Sequence, residues 1–283
     1  MHSRRALAEM IGSDFDEVAQ LYDQIQAPLS DSISMRLVEL ANVSSAKNVL
    51  DIGTGTGSAA ISATQAVGKR GEVTGIDVSE GMLAIARKKA MVRGLTNIHF
   101  ERMEASYLEF ATGSFDAVIS NLGMPIYLLR NCVSEASRVL KGGGTLCFSE
   151  YNRSSPAWTA LSNVLGRYAV QRATPALRTR REARKQMSTM ASAFPLSSFT
   201  NILGSVGLVK VRTSERTFGM TQVPSRLYLR YLVRREELEY AAMPEVSKKR
   251  FQGEMLKRLE AIRTRNAGKL TRKVRFWLAE KPG

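Results

Sequence analysis

Residues 49–57 read VLDIGTGTG, a short apolar segment that runs directly into a turn containing three glycines. Glycine accepts positive φ angles and lets a ligand approach the backbone, because no Cβ is present. A purely structural turn, or a dinucleotide site that holds pyrophosphate at a helix N-terminus, would have a similar pattern. The spacing G-x-G-x-G differs from the G-x-G-x-x-G of dinucleotide-binding dehydrogenases, and this difference disfavours that class.

Predicted strands and helices alternate from residue 47 to about residue 150. Such alternation is typical of a parallel sheet with crossover helices, so we expect an α/β fold with a doubly wound sheet. Charged helical segments then interrupt the pattern before two more strands. The predicted strands are 47–52, 71–78, 97–101, 115–120, 145–150, 208–213 and 273–280.

Polar side chains stand at the ends of the strands that follow the glycine turn. Asp77 ends the second strand, about 20 residues beyond the turn, where a carboxylate can accept hydrogen bonds from both hydroxyls of a ribose. Glu104 and Ala105 follow the third strand and could bind an adenine edge, and Asn121 follows the fourth. The carboxyl ends of such strands face one crevice, so the pattern predicts a nucleoside site there.

Four segments together resemble the class I S-adenosylmethionine-dependent methyltransferases. They are 51–57 (DIGTGTG), 75–79 (GIDVS), 115–118 (FDAV) and 138–144 (RVLKGGG). The chain is most similar to the small-molecule branch typified by the ubiquinone/menaquinone-biosynthesis C-methyltransferases. Phe15, Asp16, Ala19, Tyr22 and Asp23 resemble the N-terminal helix of that branch. The resemblance implies a Rossmann-like, seven-stranded, mostly parallel sheet with an antiparallel last strand, and S-adenosylmethionine as cofactor with S-adenosylhomocysteine as product.

The resemblance also implies roles for individual residues. The three glycines of the turn would admit the methionine part of the cofactor, and Asp51 would orient its amino group. Met82 would cover the adenine face, Asn121 would lie near the sulfonium, and Tyr22 would close over the cofactor. The full expected set is Tyr22, Asp51, Gly53, Thr54, Gly55, Gly57, Asp77, Val78, Met82, Glu104, Ala105 and Asn121.

The catalytic base is less evident from the sequence. His2 lies at the N-terminus, and His99 stands in mid-strand, where we expect it to be packed. No acidic cluster beyond the cofactor residues suggests a metal site. Glu150, at the end of the fifth strand with Tyr151 beside it, is the predicted group that orients or deprotonates the acceptor.

The chain divides into a helical segment, 1–44, that we expect to form N-terminal helices, and a methyltransferase domain, 45–283. Helical insertions at about 153–195 and 219–270 interrupt that domain. With the usual family topology, both insertions leave the sheet at the active-site edge, and we expect them to roof the substrate pocket as two lids.

Positive charge concentrates in the second half of the chain. Residues 1–150 carry 14 basic and 17 acidic residues, whereas residues 151–283 carry 27 basic and 9 acidic residues. Such a bias suggests an anionic partner, although solvated outer faces of amphipathic helices would also produce it. The densest cluster comprises Arg178, Arg180, Arg181, Arg184 and Lys185.

Three partners fit this charge. The first is an acidic or phosphorylated small molecule. The second is a lipid-like acceptor collected from an anionic membrane surface by residues 226–234, where apolar and arginine residues interleave. The third is RNA or another macromolecule, disfavoured because the fourth strand ends in SNLG without the Asn-Pro-Pro-Tyr type motif of base-modifying relatives. A protein that binds the cofactor without performing chemistry is a further alternative.

The cellular compartment follows from what the sequence lacks. The two cysteines, Cys132 and Cys147, lie in apolar segments and are expected to be free thiols in a reducing compartment. No apolar run is long enough to span a membrane and the N-terminus does not resemble a secretory signal, so we expect a cytoplasmic protein.

Overall fold

One seven-stranded sheet organises the chain. A computed structural model describes residues 3–43, 47–151, 156–192, 196–220, 223–265 and 270–283. The spatial order of the strands is β3-β2-β1-β4-β5-β7-β6, and β7 alone runs antiparallel to its neighbours. The predicted Rossmann-like sheet with an antiparallel last strand is therefore confirmed. The strands are β1 (Asn48–Ile52), β2 (Glu72–Asp77), β3 (Ile98–Arg102), β4 (Phe115–Asn121), β5 (Leu140–Tyr151), β6 (Val209–Met220) and β7 (Leu270–Glu280).

Helices cover both faces of the sheet. The apolar centre of β4, Ala117 to Ile119, is fully buried between them, which explains its continuous hydrophobicity. The helices are α1 (Arg4–Leu40), α2 (Ser58–Val67), α3 (Glu80–Val92), α4 (Leu129–Val139), α5 (Pro156–Tyr168), α6 (Pro175–Ser192), α7 (Leu196–Ser205), α8 (Ser225–Arg235), α9 (Glu237–Ala242) and α10 (Glu245–Arg265). None of these described helices is long and apolar enough to cross a membrane.

The N-terminal segment is one long helix where the sequence predicted several. Ser3 is the N-cap of α1, and its side chain accepts a hydrogen bond from the amide of Ala6 at 3.2 Å. Its buried residues Ile25, Leu29, Ile33 and Leu37 belong to the hydrophobic core on one face of the sheet. Burial of this stripe holds α1 across the sheet as part of the core.

Strands β6 and β7 are longer than the sequence predicted. The two strands pair continuously from Arg212↔Leu278 to Met220↔Leu270. Each strand is extended because the other supplies its backbone with hydrogen-bond partners. The polar residues of 214–217 hide this strand from a hydrophobicity pattern. On the opposite face from α1, Trp277 stacks on Phe199 of α7 with ring centroids 4.9 Å apart.

Helices from the two insertions pack against α1 and against each other. Leu161 of α5, Tyr228 and Tyr231 of α8 and Phe251 of α10 are buried in the same core as α1. The apolar face of α8 is therefore occupied within the fold. This packing gives no support to the alternative in which residues 226–234 collect an acceptor from a membrane surface.

Three arginines of α6 take part in ion pairs within the protein. Arg180 lies 2.7 Å from Asp14 of α1, and Arg181 lies 2.5 Å from Glu239 of α9. Arg184 pairs with Glu236 at the junction of α8 and α9. These three arginines therefore connect α6 with α1 and with the helices of the second insertion. The sequence suggested an anionic partner for this cluster, and the partners of these three residues are carboxylates of the protein itself.

Candidate functional site

A cavity opens at the carboxyl ends of β1, β2 and β4, beneath the N-terminal part of α1. It encloses about 810 Å³ of free space, counting solvent at its mouth. Nine of the twelve residues expected to bind the cofactor line it: Tyr22, Gly53, Gly55, Asp77, Val78, Met82, Glu104, Ala105 and Asn121.

The glycine turn and the acid at the tip of β2 are directly bonded. The amide of Gly55 donates to Oδ2 of Asp77 at 2.8 Å, and the amide of Ser79 donates to Oδ1 at 3.0 Å. A carboxylate can accept about four hydrogen bonds, so Asp77 retains acceptor capacity for a ligand in the cavity. Burial raises the pKa of Asp77, and these amide hydrogen bonds oppose that shift.

Two glycines of the turn are required for different reasons. Gly53 has a φ of +66°, and a Cβ on it would come within 2.6 Å of the Cα of Gly123 in the loop after β4. Gly55 has a φ of +55°, and a Cβ on it would meet no protein atom within 4 Å. The first glycine therefore allows two loops to touch, whereas the second leaves open space on the cavity wall.

The segment after β3 forms the wall opposite the glycine turn. The amide of Met103 donates to the carbonyl oxygen of Asp77 at 3.0 Å, which fixes this segment beside the tip of β2. Glu104 accepts a hydrogen bond from the hydroxyl of Ser106, and both residues line the cavity with Ala105. Glu104, the backbone at Ala105 and Asp77 therefore all face the same cavity.

Helix α1 covers this space through a stripe of residues at helical spacing. Ala8, Ile11, Phe15 and Tyr22 all line the cavity. From the sequence, only Tyr22 of these four was expected to bind the ligand. The spacings of three, four and seven residues place all four on one helix face, and this signal could have identified the other three.

Asp16 fixes α1 in this position. Its Oδ1 accepts hydrogen bonds from the hydroxyl of Ser79 at 2.6 Å and from the amide of Gly81 at 2.7 Å, at the start of α3. A carboxylate is favourable there because amides at a helix N-terminus lack partners within the helix. Gly12 permits the close approach, since a Cβ on it would come within 2.8 Å of the carbonyl oxygen of Val78.

Asn121 lines the cavity, but its side chain is bound to the surrounding protein. Its amide nitrogen donates to the carbonyl oxygen of Ser30 at 3.1 Å and to the hydroxyl of Ser34 at 2.8 Å. Its oxygen accepts from the hydroxyl of Ser149 at 2.8 Å. Asn121 therefore links β4, β5 and α1. Leu122, the next residue, has a φ of +61°, a strained conformation that recurs at functional sites.

Asp51, Thr54 and Gly57 lie behind the turn and do not line the cavity. Oδ2 of Asp51 accepts a hydrogen bond from the hydroxyl of Thr54 at 2.7 Å, and both residues are buried. Burial raises the pKa of Asp51 to about 7, against the hydrogen bond from Thr54. Gly57, with a φ of +88°, is the N-cap of α2.

The structure does not bring Glu150 to the cavity. Its carboxylate accepts a hydrogen bond from Nε1 of Trp277 at 3.0 Å and lies 3.4 Å from Arg275. Trp277 belongs to the core on the opposite face from α1. Glu150 pairs with Arg275 in the sheet, and Arg275 shares a face with Trp277 because residues two positions apart on a strand point to the same side. This orientation argues against the catalytic role predicted for Glu150. Tyr151, the next residue, packs against the core on the α1 face.

Other cavity residues carry no distinctive pattern in the sequence. Met103, Ser106, Leu122, Gly123, Pro125, Tyr127 and Leu128 also line the space. His99 is exposed on β3, in contrast to the packed position expected for it. In the described part of the chain, no group of three or more His, Cys, Asp or Glu residues could hold a metal ion.

Known proteins share this arrangement of sequence and fold. A family described as "Methyltransferase domain" matches residues 43–193. Demethylmenaquinone methyltransferase of Listeria welshimeri is 31% identical over 170 residues, which cover 57% of this chain and 71% of that protein. Aklanonic acid methyltransferase DauC of Streptomyces sp. (strain C5) is 34% identical over 138 residues, which cover 48% of this chain and 62% of that protein.

A solved structure has the same fold at low identity. Phosphoethanolamine N-methyltransferase 2 of Haemonchus contortus, in complex with S-adenosyl-L-methionine, superposes with a TM-score of 0.59 and 18% identity over 100% of this chain and 61% of that one. The match of the family to more than half of the chain, together with the sheet order, identifies the fold and its class. The chain belongs to the class I S-adenosylmethionine-dependent methyltransferases.

Proposed function

We propose that this methyltransferase transfers a methyl group from S-adenosylmethionine to a small-molecule acceptor. One observation carries the proposal: Gly55 and Asp77, joined by a 2.8 Å hydrogen bond, face a single cavity that α1 covers. Relatives supply the acceptor class, since two of them are named for demethylmenaquinone and for aklanonic acid, both small molecules.

The cavity residues fit the cofactor. In our proposal Asp77 binds the ribose hydroxyls, Glu104 and Ala105 bind the adenine edge, and buried Met82 contacts the adenine face. The open space at Gly55 admits the methionine part of the cofactor, which a Cβ would obstruct. Val78 and Gly53 complete the wall, while Asp51, Thr54 and Gly57 support the turn from behind.

S-adenosylmethionine supplies an electrophilic methyl group, so the protein has to position the acceptor and exclude water. Positioning can contribute about 7–11 kcal/mol to lowering such a barrier. Helix α1 excludes solvent on one side through Phe15 and Tyr22. The helices of the two insertions, about 153–195 and 219–270, are the proposed lids over the acceptor. Because α1 walls the cavity, the segment 1–44 acts together with the domain 45–283.

The ion pairs of α6 and the burial of the two cysteines bear on the choice of partner and of cellular compartment. Arg180, Arg181 and Arg184 are engaged with carboxylates, which weighs against their binding RNA phosphates. Cys132 and Cys147 are buried, and burial raises the pKa of each thiol to about 12, as suits inert free thiols. We therefore keep a small-molecule acceptor and the cytoplasm as the proposed partner and compartment.

Calorimetric titration with S-adenosylhomocysteine tests the cofactor site. We expect Asp77→Ala to weaken binding at least tenfold, about 1.4 kcal/mol. Asp116→Ala is the matched control: like Asp77, Asp116 accepts a backbone amide, that of Asn48 at 2.8 Å, but it does not line the cavity. Equal affinities for the two variants would refute the ribose assignment. Binding without methyl transfer to any of a panel of small acids, phenols and quinols would favour the non-catalytic alternative.

A further inference from the structure

A second cavity lies between α1 and the inserted helices. It encloses about 860 Å³ of free space, counting solvent at its mouth. Apolar and polar groups contribute about equally to its walls, and the apolar side chains are Leu161 and Leu165 of α5, Leu232 of α8, and Phe251 and Met255 of α10. A small-molecule site combines apolar side chains that pack the ligand with polar groups that orient it.

Two arginines form one end of this cavity. Arg272 of β7 lies over the ring of Tyr151, with its guanidinium carbon 4.5 Å from the ring centroid. Burial lowers the pKa of Arg272 to about 10, so the group remains charged at neutral pH in surroundings that solvate the charge poorly. An anion in the cavity would stabilise this charge.

Arg235 of α8 is the second cation of the cavity. Its Nη1 lies 3.4 Å from the hydroxyl of Tyr231, and half of its side-chain surface is accessible. Glu236 also lines the cavity; it pairs with Arg184 and lies 4.0 Å from Nε of Arg235. The lining residues therefore include two guanidinium groups and one carboxylate that is shared with Arg184, so cationic groups outnumber anionic ones among them.

Helix α1 lines both the cofactor cavity and the second cavity. Tyr22 lines the cofactor cavity and Gln26 lines the second, and the two residues are separated by four positions on α1, about 6 Å along the helix. Tyr22 and Tyr151 pack against the same hydrophobic core, in which Tyr231 is buried. Burial raises the pKa of Tyr22, and the phenols of Tyr151 and Tyr231 add to that shift. Tyr151 also contacts Arg272, which connects the arginine end to Tyr22.

We propose that the second cavity binds the methyl acceptor, and that the acceptor is an apolar small molecule whose acidic group is bound by Arg235 and Arg272. Guanidinium groups suit carboxylate and enolate oxygens because they donate paired hydrogen bonds in a plane. The apolar side chains of its walls accommodate a ring system or a short chain. The inference rests on the proposed transfer to a small molecule and adds where the acceptor binds and what charge it carries.

Calorimetric titration of the full chain with 2-naphthoate and its neutral analogue 2-naphthamide tests this assignment, with and without S-adenosylhomocysteine. We expect naphthoate to bind at least tenfold more tightly than naphthamide. Arg272→Gln should remove this preference and leave the affinity for S-adenosylhomocysteine unchanged. Arg230→Gln is the control, because Arg230 is exposed on α8 and does not line the cavity.

A second variant tests the cavity without altering charge. Leu165→Trp, on the apolar wall, should weaken both probes at least tenfold. Equal affinity for the two probes, equal behaviour of the Arg272 and Arg230 variants, or no saturation of naphthoate below about 1 mM would overturn the proposal. Failure of S-adenosylhomocysteine to bind would instead overturn the proposed function, and Asp77→Ala should weaken that ligand while leaving naphthoate affinity intact.

Discussion

Gly55→Ala separates the conformational requirement of the turn from its ligand requirement. The residue has a φ of +55°, where an alanine costs about 1–2 kcal/mol relative to its preferred regions. Its Cβ would meet no protein atom within 4 Å, so no steric clash adds to this cost. The new methyl group would instead occupy the cofactor cavity. We expect a loss of about 1–2 kcal/mol in unfolding free energy and at least a tenfold weaker affinity for S-adenosylhomocysteine.

Gly94→Ala is the matched control for this variant. Gly94 follows α3 with a φ of +65° and likewise has no atom within 4 Å of a Cβ, but it lines no described cavity. Both variants should lose similar stability in urea unfolding, and only Gly55→Ala should lose affinity in calorimetry. Gly53→Ala should lose more stability than either, because its Cβ would lie 2.6 Å from the backbone of Gly123. If Gly55→Ala binds the ligand as well as Gly94→Ala does, the methionine part does not pass over Gly55.

Three further substitutions test the supports of the site. Because the folded-state pKa of Asp51 is raised to about 7, the folded protein holds a proton that the unfolded chain releases, and stability should fall as pH rises from about 4 to about 7. Asp51→Asn should reduce that decline in urea unfolding of the cofactor-free protein but not remove it, because burial also raises the pKa of Asp77. A difference from the wild type that stays constant over this pH range would contradict the raised pKa of Asp51. Asp16→Ala should cost about 1–2 kcal/mol of stability through lost capping of α3 and should also weaken S-adenosylhomocysteine binding, whereas Asp31→Ala, exposed on the same helix, should do neither. Asn121→Asp should reduce the thermal unfolding temperature about as much as Asn121→Ala, because the carboxylate cannot donate to the carbonyl oxygen of Ser30; a harmless Asp would argue against a donated hydrogen bond at this position.

The cofactor side of the site could be predicted from local pattern. Gly55 and Asp77 are about 20 residues apart in sequence, yet both stand at the carboxyl ends of adjacent parallel strands, and that topology brings such ends together. The same reasoning placed Glu104 and Asn121 near them. Only Tyr22 was selected from α1, because an apolar stripe on a helix does not reveal whether it faces a core or a ligand.

The acceptor side could not be predicted in the same way. Glu150 and Tyr151 are consecutive, and strand alternation sends them to opposite faces of the sheet. Which face carries the second cavity depends on where α1, α5, α8 and α10 pack. The arginine cluster of α6 was similarly ambiguous, since Arg180 finds its partner, Asp14, more than 160 positions away in sequence.

The seven strands in their order along the chain, the glycine turn and the acid that meets it could be predicted from the residues alone, because they depend on backbone conformation and on the fixed geometry of parallel strands. Three-dimensional packing settled which residues enclose free space and which charges are already neutralised. Arg235 and Arg272 come from an inserted helix and from the last strand, and both line one cavity because the packing of α8 against α1 places them there. Long-range packing of this kind depends on the shape and burial of many side chains at once, which no local pattern records.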